Sequence, residues 1–375
     1  MKTTRHALTS PTPGTRRELL SLQYGTPGGA KAFVQASLHA DEVPAMLVAH
    51  HLRIALAQLE AQGRIRGEIV LVPYANPVGL SQRALNGHVG RFELGSGENF
   101  NRHYPDLAPR VADLVRGRLG EDAATNVALV REAARRACAE QGADGELTSL
   151  RRTLLQLAID ADLVLDLHSD NEAVLHLYTS TPAWSDVEPL ARLLGAEVSL
   201  LATRSGGEPF DEACSMLWPL VEERLRANGE RVSLPHACIA VTVELRGETD
   251  VDHALAQRDA AALLRYLALR GFVEGGEPGP LPALRAEALP LAGSIPVVAP
   301  AGGVLVPRQP VGARVRRGEP IADLVDPDAG TATPIPSPCD GVLYARELRR
   351  LVYAGQRIAK VAGREPVRTG ELLSA

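Results

Sequence analysis

The sequence predicts an α/β fold, with a mixed, mostly parallel sheet flanked by helices and a smaller C-terminal all-β unit of barrel-sandwich type. Three runs carry the first part of this reading: GEIVLVPYANP (67–77), ADLVLDLHSD (161–170) and ACIAVTVELRG (237–247). Each is nearly continuous in apolar residues and then turns polar or charged. Strands buried on both faces read this way, in sheets covered by helices. Stretches with helical apolar spacing lie between them. After residue 271 helical periodicity stops, which sets the tail apart.

The first twenty residues, MKTTRHALTSPTPGTRRELL, contain no apolar stretch of signal-peptide length. No run of roughly eighteen apolar residues occurs anywhere, so no membrane partner is expected and a cytoplasmic protein is the default. Residues 31–75 read as strand, loop, helix, strand. AFVQASLH (32–39) is a short β-type run, and VPAMLVAHHLRIALAQLEAQG (43–63) has helical spacing that ends at Gly63. Residues 78–108 are rich in Gly, Asn and Arg and lack a clean period; a loop of this length inside a compact domain is usually functional or disordered. Helices are predicted near 110–141, 146–161, 184–195, 211–228 and 252–270, with further strands at 174–180 and 197–203.

FVEGGEPGPLPALRAEALPLAG (271–292) is a Gly/Pro-rich linker. It divides a domain at 1–280 from one at 290–365. The second contains a weak internal repeat, in which 297–327 aligns with 335–363 through x-P-x-x-G-V-L followed by G-x-x-I-A. Two similar short β-units suggest a small sandwich. The tail resembles a biotinyl/lipoyl-type domain. The hairpin that would present an attachment lysine, VDPDAGTATPIPSP, has none, so no covalently carried cofactor is expected.

Composition narrows the function classes. Hydrophobic residues make up 45% and charged residues 23%, enough for a core that needs no disulfides. The four cysteines (Cys138, Cys214, Cys238, Cys339) form no CxxC pair, which argues against a disulfide framework and a cysteine zinc site. The net charge of −5 comes with no basic block or stripe, so no nucleic-acid partner is expected.

The residues that can carry chemistry fall at strand ends, where open α/β sheets place their ligand crevices. His39 and Glu42, in HADE, follow the first strand of the 31–75 unit. His168 ends ADLVLDLHSD. Two histidines and a glutamate leave a fourth position open on zinc, as catalytic sites require. Glu244, in VTVELRG, either pairs with Arg246 or serves as the general base. In GRFELGSGENFNRHYPDL (90–107), Arg91 and Arg102 are suited to bidentate contact with a carboxylate, and Asn101 stands beside the second. Asp170 and Glu172, just after His168, are expected to line the pocket, which would favour a positively charged substrate group. His50 and His51 read as packing or surface residues. His88, His103 and His176 could each touch substrate or serve only locally.

HADE, NFNR, DLHSD and VTVELRG, in this order, resemble the succinylglutamate desuccinylase/aspartoacylase family, a branch of the zinc carboxypeptidase-like superfamily. The resemblance covers essentially the whole chain. It implies one zinc ion on His39, Glu42 and His168, a substrate carboxylate held by Asn101 and Arg102, and Glu244 as catalytic acid/base. It also implies an arginine that polarises the scissile carbonyl, with Arg91 as the match and Arg83 as its rival. Asp41 and Asp166 are candidates for orienting the ligands. The expected partner is a small N-acyl amino acid substrate, and a homo-oligomer is compatible with the family. A metallocarboxypeptidase acting on peptide C-termini is the alternative reaction. A non-catalytic metal-binding protein on the same fold is the alternative from another class.

Overall fold

The computed structural model describes residues 1–274 and 279–373; within the linker, 275–278 lie outside the described residues. A nine-stranded sheet forms the larger part. Its strands are β1 (Lys2–Ala7), β2 (Glu18–Gly25), β3 (Lys31–Ala36), β4 (Glu68–Val72), β5 (Leu163–Asp170), β6 (His176–Ser180), β7 (Val198–Ala202), β8 (Ile239–Gly247) and β9 (Leu289–Pro290). Their spatial order is β1-β2-β4-β3-β5-β8-β6-β7-β9. The central strands β4, β3, β5 and β8 run parallel, while β1 and β2 add an antiparallel edge and β6 is antiparallel to β8.

Helices cover both faces. One face carries α1 (Pro44–Ala61), α5 (Trp184–Leu194) and α8 (His253–Leu269). The other carries α2 (Ala108–Val115), α3 (Ala123–Ala139), α4 (Glu146–Ala158), α6 (Phe210–Ser215) and α7 (Leu217–Ala227). Alternation along each strand divides its side chains between the two cores: Phe33, Val70, Val164 and Ala240 face α2–α4, α6 and α7, whereas Val34, Leu71, Leu165 and Val241 face α1, α5 and α8. This double burial explains why β5 reads as an unbroken apolar run. Helix α1 starts with Pro44, which needs no backbone N–H there, buries Val48, Leu52 and Leu56 on one stripe, and stops before Gly63 at φ 68°.

Local breaks shorten two predicted helices. The 110–141 stretch parts at Arg116–Gly120, where Gly117 has φ 67°. The 211–228 stretch parts at Met216, and Pro219, having no N–H, leaves the Ser215 carbonyl to accept a bond from His236 Nε2 at 2.7 Å. The strands β1 and β2 have no counterpart in the sequence reading. Strand β1, KTTRHA, is a mostly exposed edge with no buried face to impose alternation.

The tail forms two antiparallel sheets around one core. Its strands are β10 (Ser294–Val298), β11 (Gly303–Pro307), β12 (Arg314–Val315), β13 (Pro320–Asp326), β14 (Thr331–Pro336), β15 (Gly341–Arg346), β16 (Leu351–Val352) and β17 (Arg357–Ala362). The sheets are ordered β10-β17-β15-β12 and β14-β13-β11-β16. Each sheet therefore takes the first and third strands of one repeat copy and the second and fourth of the other. The copies interleave, so neither has a core of its own. Among the described residues the two sheets stay separate and pack as a small sandwich, as the repeat predicts.

This β-unit docks against the sheet's far edge. Glu172–Ala173 pairs with Ala345–Arg346 of β15, and Val174 N donates to Tyr344 O at 3.0 Å. Val198, Leu200, Leu291, Tyr344 and Ala362 share a small apolar cluster there.

A candidate metal centre and hydrolytic site

Parallel pairing brings three strand ends together. Gln35 on β3 stands opposite Asp166 on β5, and Glu244 on β8 stands opposite His168. By alternation Asp166, His168, Thr242 and Glu244 all project on the α2–α4 side. The turn after β3 adds His39 and Glu42. Ser37, at φ 57°, donates to Glu42 O at 2.7 Å through its hydroxyl, and Asn76 Nδ2 holds Leu38 O at 2.9 Å. Gly90 packs on this turn: a Cβ there would stand 2.2 Å from Asp41 N, so the loop can approach only as glycine.

His39, Glu42 and His168 are nearly inaccessible, and one ligand atom of each lies within 4.8 Å of the others. His39 Nδ1 is 2.8 Å from Glu42 Oε1, and His168 Nδ1 is 2.7 Å from Glu42 Oε2. The imidazoles meet edge to face with centroids 5.0 Å apart. Their outer nitrogens are occupied: His39 Nε2 lies 2.9 Å from Asn99 Oδ1, and His168 Nε2 lies 3.1 Å from Asp166 Oδ2. Gln35 Nε2 and Ser169 N anchor Asp166 and Glu42 respectively, at 2.9 and 3.1 Å. Burial alone would raise the Glu42 carboxyl, but the two imidazoles hold it well below the usual carboxylate range.

This donor set fits a divalent metal. Asn99 Oδ1 only accepts, so His39 Nε2 carries a proton, and its Nδ1, which accepts from Arg91 NH1, keeps a lone pair facing Glu42. His168 Nε2 lies 3.1 Å from Asp166 Oδ2 and 3.5 Å from Asn101 Nδ2, and its Nδ1 also faces Glu42. Imidazole lone pairs around a carboxylate repel unless a cation sits among them, and orienting the outer nitrogen in this way is how metal-binding histidines are commonly held.

The site opens into a cleft of about 770 Å³, part of it continuous with solvent, lined among others by Arg91, Asn101, Arg102, Tyr178, Glu244 and Lys360. Arg91 NH1 donates to Glu42 Oε1 at 3.1 Å and to His39 Nδ1 at 3.2 Å. Arg83 is exposed in a small hairpin and is absent from the lining. Arg102 is buried and donates to Asn101 O at 2.6 Å. Asn101 Oδ1 accepts from Phe210 N at 2.9 Å, which fixes the start of α6 beside the cleft. Glu244 is partly exposed to the cleft, but its Oε2 is buried and finds no partner among the described residues. Burial pushes its carboxyl up to about 8, with Glu42 and Asp170 adding to the rise and His168 and Lys360 opposing it.

Two expectations need correction. Asp170 does not line the cleft; its carboxylate is paired with Lys360 of β17. Glu172 is likewise spent on Arg346 and Arg350 of the β-unit. The docked β-unit supplies cations for both, so neither is available to attract a positively charged substrate. Of the ligand-orienting pair, Asp166 contacts His168, whereas Asp41 keeps a buried Oδ1 without a partner among the described residues. His176 is buried against Tyr178 and Tyr344 with Nδ1 donating to Val174 O at 2.8 Å. His88 bonds Gly79 O, and His103 is exposed.

Sequence reading missed three contributors. Asn99, two residues before Asn101 in NFNR, orients His39. Gln35 holds Asp166. Lys360, from the end of the chain, lines the cleft. The alternation of NFN carried a signal for Asn99; nothing local marked Lys360.

The chain matches the family model of the succinylglutamate desuccinylase/aspartoacylase catalytic domain over residues 28–270. No curated protein matches its sequence. Among solved structures it is similar to a succinylglutamate desuccinylase/aspartoacylase family protein from Shewanella amazonensis, at 26% identity and a TM-score of 0.83, covering 96% of this chain and 98% of that one. A second from Shewanella frigidimarina shares 24% identity and a TM-score of 0.81, covering 96% of each chain. The product-bound ectoine utilization protein EutE (DoeB) from Ruegeria pomeroyi shares the fold at 17% identity and a TM-score of 0.66, covering 96% of this chain and 94% of that one. With the motif order, the fold over its full length and the catalytic-domain match in agreement, this chain belongs to the succinylglutamate desuccinylase/aspartoacylase family.

Proposed function

We propose that this protein is a zinc-dependent hydrolase that cleaves the amide bond of a small N-acylated amino acid, with one zinc ion per chain on His39, Glu42 and His168. The observation that carries the reading is the joint one: a buried His-Glu-His set and a carboxylate of raised pKa face one cleft that also holds two arginines. Residues 1–280 would form the hydrolase domain and 290–365 the β-domain beside it.

When bound there, zinc supplies Lewis acidity, polarising a carbonyl and making water acidic near neutral pH. Glu244 takes the proton from the attacking water and later returns it to the leaving nitrogen. A carboxyl held near neutrality by burial is suited to both transfers. Arg91, whose guanidinium reaches Glu42, stands ready to donate to the oxyanion that develops on the acyl carbonyl. Arg102 and Asn101 hold the substrate carboxylate and so fix the scissile bond relative to Glu244. Arg102 is largely buried where it lines the cleft, and a bidentate contact there is less screened than at the surface.

The carboxypeptidase reading uses the same groups on a longer substrate. Leu291, Lys360 and Leu373 from the C-terminal part line the cleft, and such a bounded site favours a small substrate. A panel of N-acyl amino acids and blocked dipeptides, assayed with and without a chelator, tests the proposal. Chelator-sensitive release of an amino acid from one of the former is expected. Hydrolysis confined to the dipeptides would transfer the assignment to a carboxypeptidase, and no metal-dependent hydrolysis at all would sink both.

A further inference from the structure

A second cleft, of about 680 Å³, lies on the α5/α8 face of the sheet and is lined by Arg192, Arg246, Arg258 and Arg285, with Glu197 the one carboxylate among its lining residues. Strand β8 helps to build it in an unusual way. Plain alternation would put Arg246 on the same face as Glu244. The register with β5 shifts between Glu244 and Gly247, and Arg246 adopts φ 70°, which turns its side chain to the opposite core, where it pairs with Asp259 of α8. A non-glycine residue in this conformation is held there by its surroundings.

The carboxylates near this cleft leave its cations incompletely matched. Arg192 pairs with Glu188 at 2.6 Å, and Arg285 reaches Glu197 only at 3.6 Å. Arg258 has no carboxylate within 4.0 Å among the described residues, although Asp259 is its neighbour in sequence. Arg246 Nε is buried and has no hydrogen-bond partner among the described residues. Gly195, which ends α5 with φ 71°, lets the Arg285 guanidinium settle over the helix end: a Cβ there would lie 3.2 Å from Arg285 Nε. Three carboxylates, Glu188, Glu197 and Asp259, stand against four guanidinium groups around this concavity, which leaves an excess of positive charge, and the planar forks match carboxylate and phosphate oxygens bidentately.

We infer that this cleft is an anion site, separate from the hydrolytic one, that takes the phosphate group of a small phosphorylated metabolite. It is open enough to admit more than the phosphate itself. The inference does not depend on the hydrolase assignment.

Inorganic phosphate is the probe, titrated calorimetrically into the metal-loaded full-length protein at fixed ionic strength, with chloride and succinate as parallel arms. Saturable binding of one phosphate is expected, at least tenfold tighter than chloride or succinate. Arg258→Glu combined with Arg285→Glu should weaken it tenfold or more. If the charge reversal perturbs folding, Arg258→Gln with Arg285→Gln, both at exposed positions, should still weaken it severalfold. Arg91→Gln should leave phosphate affinity within about twofold. Three results would each overturn the inference: non-saturable phosphate binding, unchanged affinity in the folded double variants, or loss of binding in Arg91→Gln, which would put the anion in the hydrolytic cleft. Equal affinity for succinate would overturn the phosphate assignment.

Discussion

Lys360→Met removes the one cation that, among the described residues, the β-unit sends into the hydrolytic cleft, and its cost can be worked from the contact it makes. Lys360 pairs with Asp170, and the side chains are 29% and 13% exposed. Stranding one partner of a fully buried pair costs about 3–5 kcal/mol. Residual solvent at Lys360 screens part of this, leaving about 2–3 kcal/mol. For an unfolding slope near 3 kcal/mol per molar urea, the midpoint should fall by about 0.7–1 M. Asp170→Asn in the same background neutralises the stranded carboxylate and should recover about 1 kcal/mol or more as a coupling energy. Urea unfolding is followed by circular dichroism and by tryptophan fluorescence. Both tryptophans, Trp184 and Trp218, lie in helices over the large sheet, so fluorescence reports on that part alone. If Lys360→Met shifts neither transition by more than about 0.2 M, or if the two substitutions add without coupling, the pair does not tie the β-unit to the cleft and the reasoning fails.

The other predictions concern the candidate metal centre and the proposed base. Glu244→Gln should lower kcat by about 10²–10⁴-fold while atomic absorption finds the metal content unchanged; lost metal would mean that Glu244 is a ligand instead. Asp166→Asn keeps the size of the group on His168 Nε2 but removes its charge, and should weaken zinc binding about 10–100-fold in a chelator competition; unchanged affinity would deny Asp166 its orienting role. Stripping the metal should lower the thermal midpoint, and re-addition should restore it, since a ligand that binds only the folded chain stabilises it. Gly90→Ala forces a methyl against the Asp41 amide and should displace the HADE turn, seen as weaker metal binding in a protein whose circular dichroism is intact.

The sequence by itself determined the class of fold and the residues that meet at the candidate metal centre. Both follow from local rules. A strand covered on two sides must be apolar until it leaves the sheet, so the ends of the runs at His39, His168 and Glu244 mark one edge of a parallel sheet. Helix α1 could be read from its stripe and its stop at Gly63 for the same reason. Elements without such pressure were illegible: β1 is an exposed edge with no face to bury, and the predicted 211–228 helix breaks where Pro219 withholds a single N–H. Tertiary structure decided everything that depends on pairing across distance. Asp170 and Glu172 looked free beside His168, yet the docked β-unit neutralises them with Lys360, Arg346 and Arg350. Arg246 looked like a partner for Glu244, yet a bulge turns it through the sheet to Asp259 and the second cleft. A charge carries no periodic trace of its partner, and 190 residues separate Asp170 from Lys360; only docking of the interleaved β-unit brings them together.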